Sequence, residues 1–336
     1  MLTQEQIKKI DLESMHSVYD KWPKNAEISW NKEITKLDIR DVNHVVFAGM
    51  GGSGTIGDIF SSILSKNQIH VSVVKGYHLP KTVDERTLVV CTSISGNTNE
   101  TLSILDKCRN SNGKFVAFSS GGKMEEYCNK NTIDYYKIKK EHSPRASFIE
   151  FLYSTLNVLE EIIPIDKSEI TESLKVLNEI KNKIDSNNLN EENYALNLAY
   201  WIKKIPMVYY PWGLQSAAIR FKNSMQENAK KHVMCEDIIE ACHNGIVAWE
   251  NTSDVQPILI RGRDDHVKTK ERWEIVKEFL NAREIDYKEI FSVNSNILTK
   301  LVCLIYTLDV TSIYNSIIRG IDPTPVKSID YIKNKL

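Results

Sequence analysis

A glycine-rich run, Gly49-Met50-Gly51-Gly52-Ser53-Gly54, joins two stretches of different character. Before it, His44-Val45-Val46-Phe47-Ala48 is a short apolar run that reads as a buried strand; after it, Thr55-Ile56-Gly57-Asp58-Ile59-Phe60 reads as the first turns of a helix. A turn of this composition leaves backbone N–H groups free at a helix N-terminus, where the aligned peptide dipoles favour an anion. The run also fits the G-x-G-x-x-G fingerprint of dinucleotide sites. It therefore places the chain among α/β folds built from strand–turn–helix units. It leaves open whether the anion is a pyrophosphate or a sugar phosphate.

The alternation continues beyond this turn. Strands are expected at 44–48, 70–76, 87–92, 114–119 and 133–138, with helices near 54–65, 98–111 and 123–130. Such a pattern favours a parallel sheet with helices on both faces. Ser143-Pro144 breaks the chain, and a helix near 146–163 follows. Ile170, Leu174, Leu177, Ile180 and Ile184 recur at helical spacing and predict an amphipathic connecting helix within 164–190. A second block has strands at 205–210, 255–260 and 287–291 and helices near 215–230, 267–282, 296–319 and 325–335. The expected organisation is N-terminal helices plus a first domain over 1–163, the connecting helix over 164–190, and a second domain with C-terminal helices over 191–336. Each domain is read as a three-layer α/β/α unit. The first forty residues predict one or two short helices.

Charge narrows the function. The chain has 43 basic and 44 acidic residues, a net charge of −1, which argues against a dedicated nucleic-acid binder. The six cysteines, at 91, 108, 128, 235, 242 and 303, form no CxxC pair. The N-terminus lacks the apolar core of a signal peptide, and no apolar run approaches the ~18–20 residues of a membrane span. A cytoplasmic protein with reduced thiols and no membrane partner is expected.

A dinucleotide fold places a carboxylate at the end of its second strand, about 20 residues on, to bind the ribose. Here Val71-Ser72-Val73-Val74-Lys75 ends in lysine, which weakens a nicotinamide reading; only a 2′-phosphate cofactor suits Lys75. A second turn shifts the balance. Cys91-Thr92-Ser93-Ile94-Ser95-Gly96-Asn97-Thr98 is another strand-to-helix turn, dense in hydroxyls. In a parallel sheet both turns lie along the same edge, so Gly52, Ser53, Ser93, Ser95 and Thr98 converge as a phosphate cradle. Helix capping alone needs one hydroxyl, not several in two separate turns.

The two turns together, Gly51-Gly52-Ser53-Gly54 and Ser93-Ile94-Ser95-Gly96-Asn97-Thr98, resemble the phosphosugar site of SIS (sugar isomerase) domains. Further along come Arg220-Phe221-Lys222-Asn223-Ser224-Met225-Gln226-Glu227-Asn228-Ala229-Lys230, then Cys242-His243-Asn244-Gly245, then Asp322-Pro323-Thr324-Pro325-Val326. In this order the segments resemble the bifunctional phosphoglucose/phosphomannose isomerases, which carry two SIS domains. The resemblance implies an aldose–ketose isomerase acting on phosphorylated hexoses without cofactor or metal. It implies that Glu227 is the base and that His243 opens the sugar ring, acting across the interface of a homodimer. Arg145 lies at the active site on this reading, and a C-terminal lysine, Lys333 or Lys327, contributes there. Thr324 is associated with accepting both C2 epimers; an N-cap before Val326 is the alternative. The family has Asn-His-Asn-Glu where this chain has Cys242-His243-Asn244-Gly245.

The chemistry suits those residue types. An enediol mechanism needs one base that takes a proton from C2 and returns it to C1, and a carboxylate beside apolar neighbours such as Phe221, Met225 and Ala229 answers this. Histidine exchanges protons near neutral pH, as ring opening requires. Guanidinium stays charged and can stabilise an enediolate. The competing reading of Glu227 is a solvated helical carboxylate beside Lys230 and Lys231, and that of Arg145 an ordinary ion pair. A zinc set of His232, Cys235, Cys242 and His243 is disfavoured, because its spacing has no C-x2–4-C pair. The rival function is a non-catalytic phosphosugar-binding SIS regulator; the third reading is an NADP oxidoreductase.

Overall fold

The computed structural model describes residues 2–335, and elements are counted among those. Three helices precede the first strand: α1 (Gln4–Ile10), α2 (Met15–Asp20) and α3 (Trp22–Asn31). Thr3 and Gln6 form a capping box on α1. One more helix is present than expected, because Pro23 lacks the N–H an interior position must donate and so begins α3 instead of continuing α2. The chain divides into two compact units, Lys21–Leu174 on one hand and Met1–Asp20 with Lys175–Leu336 on the other.

The first unit contains β1 (His44–Ala48), α4 (Gly51–Leu64), β2 (His70–Val74), β3 (Thr87–Ser93), α5 (Asn99–Asp106), β4 (Lys114–Ser119), α6 (Gly122–Asn131), β5 (Asp134–Lys137) and α7 (Phe148–Val158). Its sheet runs β2-β1-β3-β4-β5 with every pair parallel. Every residue of β1 and β3 is buried, which is why both read as unbroken apolar runs; the edge strands β2 and β5 are only partly covered. Val46, Val89, Ala117 and Met124 belong to one core cluster under α5 and α6. The order reverses between β1 and β3, and at such a switch point the connections part and leave a crevice at the strands' C-terminal ends.

The division between the units falls within α8 (Lys167–Ile184). The second unit continues with α9 (Tyr194–Trp201), β6 (Ile205–Tyr210), α10 (Gln215–Asn228), β7 (Met234–Asp237), α11 (Ile238–Ala241), β8 (Val255–Arg261), α12 (Val267–Ala282), β9 (Lys288–Phe291), α13 (Ile297–Ile318) and α14 (Lys327–Lys333). Its parallel sheet has the order β7-β6-β8-β9. Tyr209, Trp249, Leu259 and Trp273 pack together on one face, and the Trp249 indole N–H donates to the Tyr209 hydroxyl at 2.7 Å.

On the other face α10 is locked to α13 by a buried polar seam. Arg220, Ser224 and Asn228 recur every four residues along one stripe of α10. Asp309 on α13 accepts from Arg220 Nη2 at 2.7 Å, from Arg220 Nε at 3.1 Å and from Ser224 Oγ at 2.5 Å, and the Tyr19 hydroxyl of α2 donates to it at 3.2 Å. Asn228 donates to Ser312 Oγ at 2.8 Å. With 22 residues, α13 is long and apolar enough by composition to cross a membrane, which the sequence reading did not anticipate; 94% of its apolar window is buried inside the fold, as for a core helix.

Asp309→Ala should leave the Arg220 guanidinium buried without its countercharge and cost about 3–5 kcal/mol. Urea unfolding of the variant against the unaltered protein measures this; a loss under about 1 kcal/mol would mean the seam contributes little.

Candidate functional site

The two turns singled out in the sequence meet at the switch point. Gly52 and Ser53 lie in the first turn of α4, whose N-cap residue Met50 lends no side-chain acceptor to the first-turn N–H groups. Ser53 is buried, and its Oγ accepts from the Ile94 N–H at 3.3 Å, tying the β1–α4 turn to the β3–α5 turn. Ser93 ends β3; its Oγ accepts from the Gly96 N–H at 3.1 Å and donates to Thr98 Oγ1 at 2.9 Å. Ser95 Oγ accepts from the Asn97 N–H at 3.3 Å. Thr98 is the N-cap residue of α5, but its side chain makes no capping bond because it faces Ser93 instead. Thus two helix N-termini without side-chain caps and a group of hydroxyls share one sheet edge, an arrangement suited to a phosphate.

A third turn, Ser119-Ser120-Gly121-Gly122, braces the second and was missed in the sequence. Ser120 Oγ donates to the Ile94 carbonyl at 2.7 Å, the Met124 N–H donates to the Gly96 carbonyl at 2.9 Å, and the Lys123 N–H donates to Asn97 Oδ1 at 3.0 Å. The signal was a serine–glycine turn after an apolar strand, of the same kind as the other two. Gly96 sits at φ +71°, and a Cβ there would run into the Gly121 carbonyl, so this approach of the two turns requires glycine. Lys75, considered above for a 2′-phosphate, is paired with Asp58 at 2.6 Å.

Arg145 is 95% buried, in the turn leading to α7. That turn is held by Ser147, whose Oγ donates to the Ser143 carbonyl and accepts from the Glu141 N–H, both at 2.9 Å, and by the Trp22 indole N–H donating to the Ala146 carbonyl at 2.7 Å. Glu150, in the first turn of α7, escaped the sequence reading. It is buried, its Oε1 accepts from Asn25 Nδ2 at 2.6 Å and its Oε2 has no hydrogen-bond partner. Burial pushes its pKa up to about 7.

In the second unit, Glu227 is half-buried near the end of α10. Lys230 Nζ donates to the Glu227 carbonyl at 2.8 Å and to the Asp322 and Pro323 carbonyls at 3.1 Å each. It thereby joins the end of α10 to the segment bearing Thr324. The Thr324 N–H donates to Asp322 Oδ1 at 2.9 Å, and Val326, not Thr324, is the N-cap residue of α14. His243 is exposed on the turn after α11, where its N–H donates to the Glu240 carbonyl at 2.9 Å. A side chain at Gly245 would collide with the Glu236 carboxylate, which occupies the space there. Burial, followed by Glu240 and Asp237, raises the pKa of Glu236. Lys333 and Lys327 are both exposed on α14. Cys235 of the disfavoured zinc set donates its thiol to the Ala218 carbonyl at 3.3 Å.

The second sheet treats its own strand-end turn differently. After β8, Asp265 accepts from the Gly262 N–H at 3.0 Å and from the Trp273 indole at 3.1 Å. The His266 side chain caps α12, accepting from the Lys268 N–H at 3.2 Å. Internal acceptors fill here what the first sheet leaves open.

Because the folded state raises the Glu150 pKa, it favours the protonated carboxyl. Stability is then full below the unfolded pKa of about 4.3, falls as pH rises and levels off above about 7, a loss of roughly 3–4 kcal/mol. Glu150→Gln should flatten this slope and be the more stable form at pH 8 in denaturant titrations; an unchanged pH dependence would remove Glu150 as its source.

Comparison with known proteins follows the same division. Residues 38–160 match the family model described as the SIS domain, and residues 191–336 match that of the bacterial phospho-glucose isomerase C-terminal SIS domain. The bifunctional phosphoglucose/phosphomannose isomerase of Caldicellulosiruptor bescii is 32% identical, over 96% of this chain and 98% of its own length. The protein of that name from Aquifex aeolicus is 30% identical, over 92% of this chain and 95% of its own. A solved structure, the C-terminal domain of glucosamine-fructose-6-phosphate aminotransferase from Francisella tularensis, superposes with a TM-score of 0.69 at 14% identity, covering 93% of this chain and 98% of that one; it speaks for the fold alone. The two parallel sheets and relatives matched along nearly their whole length agree: this chain belongs to the family of bifunctional phosphoglucose/phosphomannose isomerases.

Proposed function

We propose that the protein interconverts glucose 6-phosphate, mannose 6-phosphate and fructose 6-phosphate by proton transfer through an enediol. The observation that carries this reading is 32% identity to a bifunctional isomerase across 96% of the chain. The uncapped, hydroxyl-lined switch point supports it, since it offers a phosphate neutral donors and helix dipoles. Gly52, Ser53, Ser93, Ser95 and Thr98 hold the phosphate. Lys75 plays no part in this, being paired with Asp58.

His243 takes the proton of the C1 hydroxyl and delivers one to the ring oxygen, opening the sugar. Its exposure is what a side chain working on a substrate held by the other copy of a homodimer requires. Glu227 then removes the C2 proton and returns it to C1. Arg145 stabilises the negative charge that develops on the enediolate, aided by Lys333 or its neighbour in α14, Lys327. Thr324 tolerates both C2 epimers. No step calls for a metal or nicotinamide, and the substrate and reaction belong to the cytoplasm.

Glu227→Gln should lower turnover by about 10²–10⁴-fold, the range of a general base, while a hexose phosphate still raises the melting temperature. Near-normal turnover in a coupled fructose 6-phosphate assay would refute the assignment, and unaltered protein that binds hexose phosphates without turning them over would be a sensor. His243→Ala should slow ring-closed substrates at least about tenfold more than an open-chain analogue; equal losses on both would exclude ring opening as its role.

A further inference from the structure

The two sheets differ by one strand. The first runs β2-β1-β3-β4-β5, whereas the second, β7-β6-β8-β9, stops at the counterpart of β4. Between β4 and α7 the first unit inserts α6 and β5; after β9 the second unit passes directly into α13. Among the described residues the outer edge of β9 pairs with no strand, and a cavity of about 660 Å³ lies along it. Lys288 and Ile290 of β9, Tyr194 and Trp201 of α9, and Leu304 and Thr307 of α13 line that cavity. A wall made of a strand edge presents unpaired N–H and C=O groups, which an extended chain can satisfy in full.

The first unit shows what fills such a place. There β5 lies parallel to β4, with Asp134 beside Val116 and Tyr136 beside Phe118. The Tyr136 ring stacks on Phe118 with centroids 5.4 Å apart, and its hydroxyl donates to the Thr35 carbonyl at 3.0 Å. Residues two apart on a strand share a face, so Asp134 and Tyr136 point the same way. Laid beside β9 in the same sense, a strand of this pattern puts a carboxylate next to Lys288 and an aromatic ring next to Ile290, toward Tyr194 and Trp201. Lys288 is exposed, with its Nζ 5.9 Å from the centre of the Trp201 ring.

We propose that the groove along β9 docks an extended polypeptide segment of a partner protein with the pattern acidic–x–aromatic, which completes the second sheet as a fifth parallel strand. A lysine on a sheet edge discourages indiscriminate pairing, and here it selects a strand that brings a carboxylate. Backbone pairing supplies the affinity and the aromatic-lined groove the specificity.

The test uses the full chain and a fluorescein-labelled peptide of residues 132–138, Thr-Ile-Asp-Tyr-Tyr-Lys-Ile, read by fluorescence anisotropy. Saturable binding is expected. N-methylating one alternate set of peptide amides should abolish it and the other set should not, because only one set faces β9. Reversing the peptide charge with Asp134→Lys should weaken binding about fivefold, and the protein variant Lys288→Glu should restore it. Absence of saturable binding, equal effects of the two methylation patterns, or failure of the charge swap each overturns the proposal. Capture of anilinonaphthalene sulfonate with no peptide binding would instead make the groove a small-molecule cavity.

Discussion

Two helix N-termini left uncapped at one edge of a parallel sheet are the constraint from which the rest of the first unit follows. Backbone N–H groups at a helix start must find an acceptor, and in most proteins a side chain provides it. Here Met50 provides none and Thr98 is turned toward Ser93. Holding those donors open requires the turns themselves to be rigid. Ser53 binding Ile94, Ser120 binding Ile94 and the close approach at Gly96 accomplish this, each fixing one turn against another and not against a ligand. Such bracing is what preorganisation means in structural terms: the donors are in place before an anion arrives.

The second unit solves a different problem. Its buried Arg220–Asp309 pair joins α10 to α13, and Lys230 gathers four carbonyls around the end of α10. Burial alone opposes the charge on Arg220, but Asp309 and the neighbouring oxygens more than offset it, so the guanidinium is held firmly in its charged form. A helix fixed in rotation and height by four-residue-spaced bonds presents its remaining side chains, Glu227 among them, in a set direction.

How much of this could be read from the chain depended on how local the cause was. The contiguous apolar runs 44–48, 87–92, 114–119, 205–210 and 255–260 all form strands, because a parallel strand covered on both faces needs no alternation. Met234-Cys235-Glu236-Asp237 was not anticipated as a strand: it is short, half acidic and lies at a sheet edge, so neither periodicity nor hydrophobicity marks it. The helix Tyr194–Trp201 escaped notice because eight mostly apolar residues carry no amphipathic rhythm. The two hydroxyl-rich turns were legible as chemistry, since their donors are named by residue type. The burial of Glu150 and the pairing of Arg220 with a residue 89 positions away were not, because they exist only once helices have packed.

Asp265 and His266 give the two sheets unequal needs. The helix after β8 is capped from within by the His266 imidazole, and Asp265 ties the same turn to Gly262 and Trp273, whereas α4 and α5 of the first unit begin without a side-chain cap. By mass action a guest stabilises only the state that binds it. An anion bound at the switch point therefore tightens the fold where its partners are missing and leaves the self-supplied turn indifferent. A guest held there would add its binding free energy to the folded form of Lys21–Leu174.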